Sequence, residues 1–268
     1  MGRIRFRLAI PLFATVSLGL LGVVPAQAAP MAYTALGDSY SSGVGTRTYF
    51  SDSGSCYRSP VAYPVLTANS TGAQLTFAAC SGARIPDIAG QTASLNANTG
   101  LVTVSIGGND AGFVDVITKC ALPWPWTCWG DINNANNFIK STLPGQLDGV
   151  YDLIRSKAPN ARVIVVGYPR IFNGEECNFG ARISSGEQAE LNKSADLLTN
   201  VIGARAAAHG FGFVDPRSVY TGHAICDDVE WVNGLSNPIM ESYHPNTGGQ
   251  SGYARLLQAK LGVPVNAM

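Results

Sequence analysis

The sequence predicts an α/β protein in which a central five-stranded parallel sheet lies between two layers of helices. Five short apolar segments, each bounded by turn residues, have the composition of buried strands. They are 33–36, 75–78, 101–106, 163–167 and 211–214. Between them, apolar residues recur at a spacing of three or four positions, as on the buried face of a helix. Strands that alternate with helices favour a parallel sheet wound on both faces.

The helical pattern is clearest in the second half of the chain. Apolar side chains keep the spacing of a helix over 138–154 and again over 191–202. Ser184 and Glu187 have the spacing of a capping box before the later segment, and Gly210 is placed to end it. The two patterns flank the fourth predicted strand, as the alternation of strands and helices requires.

Residues 1–28 have the composition of a secretory signal peptide. Three arginines precede an apolar core over 8–24, and Ala26-Gln27-Ala28 has the small residues of a cleavage site. A retained membrane anchor is the alternative, but a proline and two hydroxyl residues interrupt the core and no stop-transfer pattern follows. We therefore expect a secreted, extracellular protein in which residues 29–268 form a single domain.

The charge of the exported part excludes some classes of partner. Residues 1–28 hold three of the 18 basic residues and none of the 18 acidic ones, which leaves a formal charge of −3 on residues 29–268. A protein dedicated to nucleic acid or to anionic membranes would carry a basic patch. We expect no nucleic-acid partner, and because nothing in the sequence requires an oligomer we expect a monomer.

All six cysteines lie in the exported part, and an even number in an oxidising compartment indicates disulfides. Six cysteines allow fifteen pairings, of which the short separation of Cys120 and Cys128 favours one bond. Sequence order then suggests the remaining pairs, and the expected set is Cys56–Cys80, Cys120–Cys128 and Cys177–Cys226. A zinc site is the alternative, but the chain has no Cys-x-x-Cys and only three histidines, so we expect no metal.

Four polar clusters lie where the predicted topology brings chain segments to one edge of the sheet. Ser39 follows the first strand, 80–83 follows the second and 107–110 follows the third. The fourth cluster, 242–245, comes after the last strand and before a helical stretch over 252–261. Ligands of such sheets bind beyond the carboxyl ends of the strands. The four clusters therefore predict one functional site.

Ser39 and His244 have the residue types of a nucleophile and its base. A serine hydroxyl attacks when a neighbouring group takes its proton, and imidazole is suited to this near neutral pH. His209 falls in the last turn of a predicted helix, where a cation complements the helix dipole. His223, close to Cys226, is the less favoured alternative to His244.

The glycine-rich clusters contain donors for the oxyanion that such an attack creates. Gly82 offers a backbone N–H with no side chain to block approach, and Asn109 offers a carboxamide N–H. Gly107 and Gly108 are also typical of a turn that ends a strand, a reading compatible with oxyanion support.

Four motifs in this order resemble the GDSL, or SGNH, serine hydrolases over essentially the whole exported chain. They are Gly37-Asp38-Ser39, Gly82, Gly107-Gly108-Asn109-Asp110 and His244. The resemblance implies a flavodoxin-like three-layer fold, with Ser39 as nucleophile and His244 as base. It also implies that the Ser39 N–H, the Gly82 N–H and the Asn109 side chain bind the oxyanion, and that no cofactor is needed.

The chain looks most like the secreted actinobacterial lipases, esterases and phospholipases of that family, on the basis of the local sequence around Ser39, the export signal and the six cysteines. This implies hydrolysis of lipid esters, either acylglycerols or glycerophospholipids in a phospholipase A reaction. An acetylesterase that acts on polysaccharide is the alternative, and a secreted binding module without catalysis is the alternative from another class. The α/β-hydrolase fold is disfavoured because no Gly-x-Ser-x-Gly elbow is present.

Two features near the motifs leave choices open. Most members of the family carry Asp three residues before the histidine, where this chain has Glu241. By analogy with members that use a Ser-His dyad, the Ser242 carbonyl is the slightly favoured group to orient His244. Trp124 and Trp126 lie between Cys120 and Cys128 and are candidates for a wall against the acyl chain or for contact with a lipid interface, with a hydrophobic plug over the core as the alternative.

Overall fold

A computed structural model describes residues 1–2, 29–123, 125–177, 180 and 182–264 of the 268-residue chain. Its strands are β1 (Ala32–Gly37), β2 (Gln74–Phe77), β3 (Thr99–Ser105), β4 (Arg162–Val166) and β5 (Gly212–Val214). They form one sheet in the order β2-β1-β3-β4-β5, and every neighbouring pair is parallel. The five-stranded parallel sheet predicted from the apolar segments is confirmed.

Eight α-helices surround this sheet in the described part of the chain. They are α1 (Ser39–Ser42), α2 (Tyr63–Thr71), α3 (Ile88–Gln91), α4 (Phe113–Cys120), α5 (Trp129–Ser141), α6 (Leu143–Lys157), α7 (Ser185–Ala208) and α8 (Thr247–Leu261). Helices α2 and α8 pack together on one face, while α3, α6 and α7 follow one another across the other face. Helix α5 packs on α6 and α7.

The segment 138–154, which the spacing predicted to be helical throughout, is divided between two helices. Helix α5 ends at Ser141 and α6 begins at Leu143, so Thr142 lies between them. Pro144 stands in the first turn of α6. A proline has no N–H to donate to the preceding turn, so it is tolerated at a helix start and interrupts a continuing helix.

The start of α7 is fixed by the capping box that the sequence predicted. The Ser184 N–H donates to the Glu187 carboxylate at 3.0 Å, and the Glu187 N–H donates to the Ser184 hydroxyl at 3.4 Å. Gly210, with a φ of +67°, follows the end of the helix. Helix α7 therefore ends and begins where the local sequence predicts, which places its apolar face against α5 and α6.

The core is centred on the three middle strands, whose side chains are buried on both faces of the sheet. Leu36, Leu101, Val104, Ile164 and Val165 are fully buried. Burying an aliphatic side chain of this size stabilises the fold by about 2 kcal/mol. The carboxyl ends of β1 and β3 are thereby held in fixed positions, and both lead into the polar clusters.

Three disulfides join the segments around the sheet. The structure pairs Cys56 with Cys80, Cys120 with Cys128 and Cys177 with Cys226, which are the three pairs expected from sequence order. The predicted signal peptide lies almost wholly outside the described residues. Within the described ranges, no helix has the length and apolar composition needed to cross a membrane.

Candidate active site

Ser39 is presented by a tight turn between β1 and α1. Gly37 has a φ of +127°, and a Cβ at this position would collide with the carbonyl oxygen of Ser105. Asp38 caps α1, and its carboxylate accepts a hydrogen bond from the Tyr40 N–H at 3.0 Å. The chain therefore leaves the sheet sharply, and Ser39 is the first residue of the helix.

Ser39 and His244 are in direct contact. The Ser39 Oγ lies 2.8 Å from Nε2 of His244, and Nδ1 of the same ring lies 2.8 Å from the carbonyl oxygen of Ser242. Because a carbonyl only accepts hydrogen bonds, Nδ1 carries the proton and Nε2 is left free to accept the serine proton. Burial lowers the pKa of His244 to about 4, against the opposite effect of the bond to Ser242. The imidazole is therefore neutral at physiological pH.

The carboxylate of Glu241 points away from this pair. It accepts a hydrogen bond from the Tyr49 hydroxyl at 2.6 Å and lies 3.4 Å from the Arg47 Nε. The sequence left two candidates for the group that orients His244. In the structure the Ser242 carbonyl contacts the ring, whereas Glu241 contacts Tyr49 and Arg47, which follow α1. The longer side chain of glutamate allows this other set of partners.

The three groups expected to bind an oxyanion lie on neighbouring loops. The Asn109 Nδ2 donates to the Ala83 carbonyl at 2.9 Å, which joins the loop after β3 to the loop after β2 beside Gly82. One hydrogen of that amide remains for a ligand. Among the described residues, the N–H groups of Ser39 and Gly82 donate to no acceptor. Gly82 is exposed with a φ of +78°, and a Cβ there would meet nothing within 4 Å.

Tyr168 is a residue of the site that the sequence reasoning missed. Its hydroxyl donates to the Asp38 carboxylate and accepts from the Gly108 N–H at 3.2 Å. It therefore ties together the loops that follow β1, β3 and β4. Burial raises the pKa of Asp38 to about 7, although the hydrogen bonds from Tyr168 and from the backbone oppose this shift. The position of Tyr168 after the fourth predicted strand was the one available signal.

An apolar pocket opens beside the Ser39 hydroxyl and extends between α4, α5 and α7. Ser39, Asn109 and His244 lie on its lining, and Asp38 is the one ionisable carboxyl group among the lining residues. Apolar residues make up most of the rest, namely Phe113, Val114, Val116, Ile132, Ala135, Ile139, Ile171, Phe172, Leu191, Ala195 and Leu198.

Trp126, one of the two candidates for a wall against the acyl chain, does not reach the pocket. Its side chain is 61% exposed and does not line the pocket, and Trp124 lies outside the described residues. Phe113, at the start of α4, borders the pocket, and the loop leaves from Cys120 about 10 Å further along the helix. The wall comes instead from helices, whose apolar faces the sequence pattern alone could not assign to this pocket.

The other two histidines do not contact Ser39. His209 lies 2.9 Å from the Asp148 carboxylate near the end of α7, as its position in a last helical turn suggested. His223 stacks on Trp231 with ring centroids 4.0 Å apart, and its Nδ1 bonds to a backbone carbonyl. Both have structural partners of their own.

Comparisons with known proteins point in the same direction as the geometry. The model of the GDSL-like Lipase/Acylhydrolase family matches residues 35–251. Lipase 1 of Streptomyces coelicolor is 47% identical over 259 residues, which cover 92% of this chain and 96% of that protein.

Two crystal structures of Streptomyces proteins have the same fold at similar identity. An extracellular lipase from Streptomyces rimosus superposes with a TM-score of 0.81 at 46% identity, covering 85% of this chain and 99% of that one. Phospholipase A1 from Streptomyces albidoflavus NA297 superposes with a TM-score of 0.82 at 46% identity, covering 87% of this chain and 100% of that one.

Proposed function

Because the chain belongs to the GDSL-like lipase/acylhydrolase family and is a carboxylic ester hydrolase, we propose that Ser39 is its nucleophile and His244 its general base. The observation that supports this most directly is the 2.8 Å contact between the Ser39 Oγ and the His244 Nε2. The Ser242 carbonyl, 2.8 Å from Nδ1, is the orienting group. Ser39 and His244 thus act as a dyad, without a carboxylate on the imidazole.

The reaction divides into acylation and deacylation. His244 takes the Ser39 proton as Oγ attacks the ester carbonyl carbon, and the negative charge forms on the carbonyl oxygen. The Ser39 N–H, the Gly82 N–H and the Asn109 side chain bind this oxyanion, and one such donor contributes about 3 kcal/mol to the transition state. The imidazolium then protonates the leaving alcohol, and water activated by His244 hydrolyses the acyl-enzyme.

The substrate we propose is a lipid ester with a long acyl chain, either an acylglycerol or a glycerophospholipid cleaved in a phospholipase A reaction. The apolar pocket beside Ser39 supports this, because a chain of methylene groups gains about 0.8 kcal/mol for each group transferred from water. An acetyl group on a polysaccharide would leave most of the pocket unfilled. The lipase and phospholipase relatives act on the same general class.

The nucleophile is tested with a serine-directed phosphonate and Ser39→Ala. Wild-type protein is expected to be labelled at Ser39 and to lose activity in step with labelling, whereas Ser39→Ala is expected to be unlabelled and at least about 10⁴-fold slower. Labelling elsewhere, or an active Ser39→Ala, would contradict the proposed mechanism. A panel of glycerophospholipid, triacylglycerol, nitrophenyl esters and acetylated sugar then ranks the ester classes under identical conditions.

The acyl pocket is tested by filling it. Ala195 lines the pocket on α7, while Ala189 lies exposed on the same helix and provides a matched control. Ala195→Phe is expected to lower kcat/KM for long-chain nitrophenyl esters by about 10- to 100-fold, as the loss of several buried methylene contacts predicts. The acetyl ester should change little, and Ala189→Phe should change neither. Equal losses for all chain lengths would contradict an acyl pocket at this position.

A lipid interface is the further contact that we propose for this enzyme. Val114 both lines the pocket and is 55% exposed. Leu122 and Trp126 are exposed in the neighbouring segment closed by the Cys120–Cys128 disulfide, and Trp129 is exposed directly after it. Aromatic residues of this kind favour the boundary between lipid and water. Trp126→Ala is expected to lower hydrolysis of vesicle phospholipid a few-fold and to leave a soluble short-chain ester unchanged. Equal effects on both substrates would speak against the interface.

We also propose that residues 1–28 are removed on export and that residues 29–268 act as a single-domain monomer. The three disulfides fit an oxidising compartment. Ser39, Gly82, Asn109 and His244 are brought together within one chain, so the proposed chemistry does not require an oligomer. Mass spectrometry of protein from the culture medium should give a chain that begins at Ala29.

A further inference from the structure

Tyr40 connects the helix that carries the proposed nucleophile to the loop that carries the proposed base. It follows Ser39 directly, its side chain is 4% exposed, and its hydroxyl donates to the carbonyl of Tyr243 at 2.9 Å. Burial raises the pKa of Tyr40, so the hydroxyl stays protonated and remains a donor. The ring itself packs 5.5 Å from that of His244 and 5.1 Å from that of Tyr168, measured between centroids.

The carbonyl that Tyr40 binds belongs to a residue in an unfavourable backbone conformation. Tyr243 has a φ of +61°, in the left-handed region that residues with a Cβ rarely adopt. Such a conformation persists when surrounding contacts over-determine it. Besides the Tyr40 bond, the Tyr243 N–H donates to the Asn233 carbonyl at 2.9 Å, so both backbone polar groups of this residue are held.

The Tyr243 peptide lies between the two residues that set the base. Ser242, on one side, provides the carbonyl that holds Nδ1, and His244, on the other side, carries the ring. Because that carbonyl is uncharged, no ion pair holds the imidazole against Ser39. The orientation of the imidazole therefore depends on the backbone torsions of Tyr243. The hydroxyl of Tyr40, on α1, restrains these torsions through its bond to the Tyr243 carbonyl.

We propose that the Tyr40 hydroxyl is a positioning group that keeps His244 aligned with Ser39 by holding the Tyr243 carbonyl. This inference rests on the proposed roles of Ser39 and His244. It assigns Tyr40 no contact with the reacting atoms. The hydroxyl acts through the backbone of the base loop, residues 231–246, whereas the ring of Tyr40 lines the pocket.

Tyr40→Phe tests the proposal because it removes the hydroxyl and keeps the ring. A displacement of about 1 Å in a catalytic group costs up to about 100-fold in rate, so we expect kcat to fall by about 10- to 100-fold. The KM of a short-chain ester should stay within about twofold, since the pocket keeps its aromatic wall. The rate of phosphonate labelling of Ser39 should fall by the same factor as kcat.

Tyr253→Phe is the matched control. Tyr253 is fully buried, and its hydroxyl donates to the Gly167 carbonyl at 3.0 Å, so the variant loses a similar bond outside the base loop. It should lose thermal stability to a similar extent as Tyr40→Phe and keep its kcat. The NMR signal of the His244 Nδ1 proton should shift or broaden in Tyr40→Phe and remain in place in Tyr253→Phe.

Two results would overturn the positioning role. One is a Tyr40→Phe enzyme whose kcat and His244 proton signal match the wild type. The other is an equal loss of kcat in both variants, which would mean that any buried hydroxyl of this kind supports the fold. An active Ser39→Ala would instead contradict the proposed nucleophile, so the two failures are distinguishable.

Discussion

The nucleophile turn, residues 37–43, and the base loop bring Ser39 and His244 to the same edge of the sheet by different means. The turn is shaped by neighbours in the sequence, with positive φ at Gly37 and Gly43 and the Asp38 side chain as a cap. The base loop contains only a short 3-10 turn and one isolated bridge, and besides its internal bonds it is held by contacts from residues 40–49, far away along the chain. Tyr40 is 203 positions from Tyr243.

The difference indicates that the two proposed catalytic groups are positioned by different kinds of contact. The backbone path of the nucleophile turn is set largely by nearby residues, since its glycines accept the positive φ and Asp38 caps α1, although Tyr168 and Ser105 add bonds from distant segments. The base loop depends more on the rest of the fold, since Tyr40, Tyr49 and Gly45 bond to it across a long stretch of chain. Loss of a distant contact should therefore affect the base more than the nucleophile.

Removal of the base should give the largest effect. His244→Ala is expected to lower kcat by about 10⁴-fold, because the residual rate comes from the oxyanion donors and substrate binding alone. Thermal unfolding should show a folded protein, since the nucleophile turn does not depend on the imidazole. Retention of more than about 1% of the wild-type kcat would show that another group serves as base.

Damage to the nucleophile turn should come next and should affect folding as well as rate. Gly37→Ala places a Cβ against the Ser105 carbonyl at a φ of +127°, and we expect about 2 to 4 kcal/mol of destabilisation. Gly149→Ala, at an exposed position of α6 where a Cβ meets nothing within 4 Å, should instead stabilise by about 0.5 to 1 kcal/mol. Urea unfolding measures both. Equal stability of the two variants would show that the turn is not locally determined.

Acid should inactivate the enzyme at a lower pH than an ordinary histidine base would allow. The base works when neutral, and burial lowers the pKa of His244 to about 4, so kcat/KM should fall only as the pH drops through this region. At pH 5.5 the rate should be about tenfold higher than a base with a pKa of 6.5 would give. The acid limb of a pH profile on a neutral ester measures this. A midpoint near 6.5 would mean that solvent reaches the imidazole in the working enzyme.

The smallest effect on kcat is expected from substitution of Glu241, although this residue stands at the sequence position where the family commonly has aspartate. Glu241→Gln should keep the acceptor for the Tyr49 hydroxyl, lose the attraction to Arg47 and lower kcat by less than about threefold. Measurement of kcat beside thermal unfolding separates the two effects. A loss of several hundredfold in turnover would indicate a Ser-His-Glu triad. It would mean that a carboxylate, and not the backbone of the base loop, orients His244.

Local patterns in the sequence predicted much of the fold. The segments 33–36, 101–106 and 163–167 each lie largely within an observed strand because apolar runs of this length are buried on both sides of a parallel sheet. The boundary between α5 and α6 was missed despite Pro144, since apolar spacing continues across it. Helix α2 was missed because its apolar residues follow no helical spacing, and α4 because its helical spacing extends over only eight residues.

The candidate site divides in the same way. Ser39, Gly82, Asn109 and His244 could be proposed from the sequence because each stands in a short motif that specialised backbone or side-chain chemistry requires. Tyr168 has no such motif, and its contact with Asp38 exists only after β1 and β4 take their places in the sheet. The pocket walls are likewise assembled from helices that are distant in sequence.

Sequence patterns alone predict the five strands, the later helical segments, the glycine turn at Ser39 and the candidate residues for acyl transfer, because these depend on periodicity, torsion preference and side-chain chemistry. The tertiary structure was needed to show that the Ser242 carbonyl contacts His244, that Glu241 contacts Tyr49 and Arg47, and which helices line the pocket. These features depend on distances between segments that lie far apart in the chain, and no local preference encodes such distances.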